Sequence, residues 1–161
     1  MRHLKGKESK QLIREFLEQY PASADSLNAA IHLEELIVPD GAIFFVDGRP
    51  LILRTKRGLI PSLKFDSVVN ALPKVIVDMG AVRHVANGAQ IMRPGIRQIE
   101  GRFSKDDLVA IQDEKYRKTI ALGAAEVDSE LMQSMDKGRV IDNIHFVGDD
   151  LWTSFSETSK Q

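Results

Sequence analysis

The sequence predicts an α+β chain of two small domains: an α+β front domain and then a mixed β-barrel with two short helices. Three observations predict it. The chain opens on a single amphipathic helical stripe. Short apolar runs joined by tight-turn signals then continue as far as Pro73. Beyond Pro73, five or six strand-like runs are interrupted by only two short helical patterns. A chain of 161 residues is long enough to bury a core in each domain without disulfide or metal staples.

In the front half, Leu12, Ile13, Phe16, Leu17 and Tyr20 recur at helical spacing, which predicts a helix over 9–20 with Ser9 as cap and Pro21 as stop. Asp25 to Asn28 predicts a second short helix, and Ile31 to Val38 an extended run. Pro39-Asp40-Gly41 is a turn, and Ala42 to Val46 an apolar strand. Asp47-Gly48 joins that strand to Leu51 to Leu53 as a hairpin, since both residue types tolerate the left-handed backbone of a two-residue loop. A turn at Lys56-Arg57-Gly58 leads to Leu59-Ile60-Pro61, and Asp66 to Leu72 predicts a short helix. The domains are expected at 1–73 and 74–154, with a polar, frayed tail over 155–161.

The second half is organised about residues 74–96. Lys74 to Val77 is short and β-branched and reads as a buried strand. Asp78 is placed to cap a short helix from Gly80, and Asn87-Gly88 ends that helix. A strand over Ala89 to Met92 then meets a turn at Pro94-Gly95. Ile96 to Ile99, Leu108 to Gln112 and Thr119 to Val127 follow as strands broken by charged turns. Asp128 begins a helix that Gly138 terminates, Val140 to Val147 supplies the last strand, and Trp152 reads as a core or barrel-closing anchor.

Composition excludes several kinds of chemistry. With no cysteine there is no disulfide, no thiolate nucleophile and no sulfur-based zinc site. No apolar run approaches the roughly 20 residues of a membrane span, and the first residues lack the hydrophobic segment of a signal peptide, so a soluble, cytoplasmic protein is expected. His3, His32, His84 and His145 lie far apart, and none has metal-ligand spacing. His145 reads as structural or exposed, and Asp142, Asp149 and Asp150 as turn and cap residues. No phosphate-loop pattern occurs. No catalytic residue, metal or cofactor is therefore expected.

The net charge of −1 hides a split along the chain. Arg49 to Lys64 carries five basic residues and no acidic one. Met79 to Lys105 carries five more against Glu100 alone, while Asp106 to Asp150 carries eleven acidic residues against five basic. An anionic partner responds to such local excess rather than to the average.

Asp78-Met79-Gly80-Ala81, Asn87-Gly88-Ala89 and Met92-Arg93-Pro94-Gly95-Ile96 together resemble the opening of a PUA domain, the RNA-binding module of pseudouridine synthases and archaeosine transglycosylases. Lys137-Gly138, Asp142-Asn143-Ile144-His145-Phe146 and Asp149-Asp150-Leu151-Trp152, with Gly58 to Leu63, resemble more narrowly the malignant T-cell-amplified sequence and ligatin family. The resemblance implies a pre-PUA domain followed by a PUA pseudo-barrel. It also implies a non-enzymatic role on the small ribosomal subunit in translation initiation, reinitiation or recycling, through tRNA or ribosomal RNA. Eukaryotic members act with a second protein that carries an initiation-factor-like domain. The stand-alone layout here is that expected of an archaeal member. Such modules also serve RNA-modification enzymes, so a targeting subunit is the alternative, and a protein-only adaptor a third reading.

In PUA domains the RNA surface forms around the first helix and second strand, which correspond here to Gly80 to Asn87 and Ala89 to Met92. The candidate contacts are Gly80, Ala81, Arg83, His84, Gly88, Ala89, Arg93, Gly95 and Arg97. Cations neutralise phosphates, glycines let main chain approach closely, and free amides at a helix start favour anions. Arg54, Lys56 and Arg57 form a further basic cluster. Each has a plainer reading: the glycines as demands of turn geometry, the arginines as solvated surface.

Overall fold

Three two-residue turns build the front sheet of the computed structural model, which describes residues 1–159. Strands β1 (Arg2–His3), β2 (Leu33–Val38), β3 (Gly41–Val46), β4 (Arg49–Thr55) and β5 (Gly58–Pro61) lie side by side in chain order as an antiparallel sheet. The register passes Val38↔Gly41, Val46↔Arg49 and Thr55↔Gly58, so each turn is as tight as its sequence predicts. Asp47 and Gly48 both take positive φ, 49° and 83°, the twist that carries one strand directly into the next.

Helix α1 (Gly6–Gln19) packs Leu12 and Phe16 into one cluster with Leu33, Phe44, Leu51 and Phe65. The Phe16 and Phe65 rings stack at 5.7 Å. Each such buried side chain contributes about 1.5–3 kcal/mol. The helix starts at Gly6, ahead of the predicted Ser9 cap. Glu8 supplies the start signal, accepting the Lys5 amide at 3.4 Å while Arg2 pairs with Glu8 at 2.9 Å and with Glu35 at 3.0 Å. Ser9 instead donates its hydroxyl to the Leu4 carbonyl. The short helices α2 (Ala24–Asn28) and α3 (Asp66–Val69) complete this stretch.

The C-terminal segment departs from expectation. Residues 155–159 of the expected frayed tail are helical, part of α6 (Asp150–Ser159), which is grouped with Met1–Ala71 as one unit; the second unit is Leu72–Asp149. One helical turn separates Trp152 from Phe155, which is 1% exposed, and their rings lie 5.4 Å apart. The Lys64 ammonium sits 4.3 Å from the Trp152 ring. Trp152 thus belongs with the front unit rather than closing the barrel. The interspersed Thr153, Ser154, Ser156 and Glu157 disguise the apolar stripe in sequence. Residues 160 and 161 of the expected tail lie outside the described residues.

The second unit is a curled six-stranded half-barrel. It comprises β6 (Lys74–Val77), α4 (Met79–Val85), β7 (Ile91–Met92), β8 (Ile96–Glu100), β9 (Leu108–Asp113), β10 (Thr119–Ala125), α5 (Ser129–Ser134) and β11 (Arg139–Phe146). The strand order is β7-β11-β10-β9-β6-β8, with β6 parallel to β9 and antiparallel to β8. Its core gathers Val75, Val77, Val109, Ile111, Met132 and Ile141. The predicted strand over Ala89 to Met92 shrinks to two residues because Ala89 and Gln90 are held in a loop. Ala89 donates its amide to the His84 carbonyl, and Gln90 Oε1 accepts the Asn143 amide.

This packing makes two substitutions informative. A Cβ at Gly123 in β10 would lie 2.3 Å from Ile141 Cγ2, so Gly123→Ala should lower stability by about 1–3 kcal/mol in urea unfolding. Asp113 at the β9–β10 turn is 4% exposed. Burial pushes its carboxyl up, but the backbone N–H groups of Tyr116, Lys118, Lys115 and Arg117 outweigh this and hold it below the ordinary value. The stability it contributes is present above the unfolded carboxyl value of about 3.9 and is lost as pH falls through the lower folded value. Asp113→Asn should therefore unfold at lower urea than the parent at neutral pH, with the gap closing only below about pH 4.

Candidate nucleic-acid interface

Strand β6 ends at Val77, and Asp78 turns the chain into α4. Its Oδ1 accepts the Ala81 amide at 2.7 Å, and its own N–H donates to the Gly95 carbonyl at 2.9 Å. The carboxylate thus caps the helix as the sequence predicts, and the backbone ties the helix start to the 3-10 turn Arg93–Gly95. The Met79 amide donates to Glu114 Oε1 at 3.3 Å. Here the structure corrects an expectation: the Met79 and Ala81 amides are not free for an anion, because two carboxylates already occupy them.

The glycines have structural reasons to be glycine. Gly88 has φ 86°, and a Cβ there would lie 3.0 Å from the Phe146 ring. A Cβ at Gly95 would come within 3.1 Å of the Ala81 Cβ, and one at Gly80 within 3.3 Å of Asp78 Oδ1. Gly95 and Ala81 therefore mark the close approach of the turn to α4, and Gly88 lets the loop after α4 pass beneath an aromatic ring.

Asn143 on β11 fastens that loop. Its Nδ2 donates to the Val85 carbonyl at 3.0 Å and to the Ala89 carbonyl at 3.1 Å, while its backbone N–H donates to Gln90 Oε1 at 2.6 Å. The sequence shows Asn143 within the motif Asp142 to Phe146 but not its role as a clamp. It sits within an unbroken strand-like run, and its partners are more than fifty positions away.

The cations differ in what they are free to do. Arg83 and His84 are exposed in the last turn of α4, and among the described residues neither side chain makes a hydrogen bond or ion pair. Arg97, with 62% of its side chain exposed, lies 3.6 Å from Glu114 Oε2 and 3.9 Å from Asp78 Oδ2, so its charge is partly offset locally. Arg93 is half-buried and turned inward, donating Nε to the Met132 carbonyl at 2.7 Å and Nη1 to the Ile96 carbonyl at 3.2 Å. It braces the 3-10 turn against α5. Ala89 is exposed on the loop beside His84. The structure thus brings Gly80, Ala81, Arg83, His84, Gly88, Ala89, Gly95 and Arg97 together about α4, with Arg93 pointing into the fold.

Arg54, Lys56 and Arg57 belong to the front unit, at the β4–β5 turn. Arg54 pairs with Glu15 at 3.8 Å and lies over the Phe44 ring, and Arg57 donates its amide to Thr55 Oγ1. His145 is buried, its Nδ1 2.8 Å from Asp149 Oδ2, and the same oxygen accepts the Phe146 amide, which makes the pair a clasp at the end of β11. Among the described residues no three histidines or carboxylates are grouped to hold a metal ion.

Residues 73–147 match the family model of the PUA domain, nearly the whole of the second unit. The uncharacterised protein MJ1432 of Methanocaldococcus jannaschii is 36% identical over 124 residues, 75% of each chain. Translation machinery-associated protein 20 of Saccharomyces cerevisiae is 34% identical over 148 residues, 84% of this chain and 82% of that one. The crystal structure of a PUA-domain protein, APE0525, from Aeropyrum pernix superposes with a TM-score of 0.81 at 30% identity, covering 98% of this chain and 91% of that one. With similar identity to relatives that span both units and the same half-barrel in the second, the chain belongs to the PUA-domain family of the translation machinery-associated 20 and malignant T-cell-amplified sequence proteins.

Proposed function

We propose that this chain is a non-catalytic, cytoplasmic RNA-binding protein of translation. In this reading it acts in initiation, reinitiation or ribosome recycling, through contacts to tRNA or small-subunit ribosomal RNA made by the exposed side of α4 and the loop 86–90. The observation that carries the proposal is the pairing of Arg83 and His84, exposed and uncommitted, with a loop pinned by Asn143. A cation without an internal partner neutralises a phosphate without first breaking an ion pair, and a loop already held in place loses little entropy on binding. The small ribosomal subunit and a separate initiation-factor-like protein are the partners this reading calls for. Kinship with proteins named for the translation machinery supports it. No metal or cofactor is needed, because folded RNA is recognised through backbone, 2′-hydroxyls and shape. Among the described residues no helix is long and apolar enough to cross a membrane.

The test uses labelled tRNA and isolated small ribosomal subunits over a salt series. Arg83→Glu should weaken binding and reduce the slope of log K against log salt by about 0.7–0.9, the share of one phosphate that is no longer neutralised, with unfolding unchanged. Unaltered affinity and slope in a folded variant would put RNA on another face. Arg93→Ala should behave in the opposite way. Without its bonds to the Met132 and Ile96 carbonyls the chain should be less stable by about 1–3 kcal/mol, read as a fall in Tm, with the salt slope of RNA binding preserved.

A further inference from the structure

The tip of the β9–β10 hairpin, residues 114–118, presents Tyr116 with 65% of its surface exposed. An aromatic ring so placed adds little to the core, yet the turn beneath it is held from several directions. The buried Asp113 carboxylate accepts the Tyr116 amide through Oδ1 and the Lys118 amide through Oδ2. Arg117 takes the left-handed backbone, φ 56°, and its guanidinium donates to Glu100 Oε1 at 2.7 Å and to Gln112 Oε1 at 3.2 Å. These bonds order the backbone that carries the exposed ring, a cost in conformational entropy that free tips ordinarily avoid.

One ammonium lies near the ring and a second lysine shares the turn. The Lys115 ammonium lies 5.1 Å from the Tyr116 centroid, and the exposed Lys118 side chain has no ion pair among the described residues. An exposed aromatic ring on an ordered turn that also carries two lysines is suited to take an unpaired base, the ring receiving its π-face and the cations the neighbouring phosphates. The hairpin is also joined to the α4 face. Glu114 donates its amide to the Val77 carbonyl at 3.0 Å, accepts the Met79 amide and approaches Arg97. A protein-docking tyrosine would instead be set among apolar neighbours in a desolvated pocket.

We infer that Tyr116 is a stacking platform for an unpaired base of the RNA that lies along α4, with Lys115 and Lys118 on the adjoining phosphates. The inference rests on the RNA-binding reading above and narrows it to RNA with a single-stranded extension or loop.

Two probes test it: a blunt RNA hairpin, and the same hairpin with a short unpaired 3′ extension containing 2-aminopurine. The wild-type chain should prefer the extended RNA and quench its fluorescence. Tyr116→Ala should reduce affinity for the extended RNA by about 5- to 150-fold, abolish the quench and leave blunt RNA unaffected. Tyr116→Phe should keep both preference and quench. Lys115→Ala with Lys118→Ala should lower the salt slope while the quench remains. Since these side chains are exposed, melting should not change. Tyr116→Ala that binds and quenches like wild type, while Arg83→Glu fails to bind, would overturn the platform and leave the α4 reading standing. Wild-type protein that binds neither RNA would overturn both, and leave the hairpin tip to a protein partner.

Discussion

Strand β6 is the constraint on which the second unit depends. It is short, yet it pairs with β8 on one side and runs parallel to β9 on the other. A parallel pair cannot be closed by a tight turn, so the chain leaving β6 must travel before it returns. It does so through α4, and Asp78 sets the direction of departure by capping that helix while its amide holds the Gly95 carbonyl. The same strand end receives Glu114 from the end of β9. Helix start, 3-10 turn and hairpin root are thereby gathered at one end of one strand, and the candidate RNA face is built from these three pieces.

Electrostatics then sorts the basic residues within that face. Arg93 is used by the fold, its guanidinium held by two carbonyls. Arg97 is shared between Asp78 and Glu114 and keeps the helix start from accumulating negative charge. Only Arg83 and His84 then remain as uncommitted groups of this set on the solvent side of α4. Counting charges along the sequence overstates the attraction for phosphate, because several of the counted groups are neutralised at home.

How much is legible in the sequence follows from the range of each interaction. The tight turns at Pro39-Asp40, Asp47-Gly48 and Lys56-Arg57 are local chemistry, and so is the Asp78 cap, and all are found where the residues predict. The start of α1 escapes a local reading because its signal is Glu8 reaching back to Lys5 and held by Arg2, which Glu35 also grips from a distant strand. Helix α6 escapes because its apolar stripe is thin, with polar residues between Trp152 and Phe155. The residues of the candidate face are picked out by type and resemblance. The inward turn of Arg93, the hold of Glu114 on the Met79 amide and the Asn143 clamp depend on partners tens of positions away, which spacing alone does not reveal.

The most direct measurement is amide hydrogen exchange on the intact chain, free and bound to tRNA or to the small ribosomal subunit. The slowed amides should map to α4, the loop 86–90 and the hairpin tip 114–118, with the backbone of β10 unchanged. Protection confined to the front unit, or none at saturating RNA, would contradict an RNA-binding surface at the end of β6.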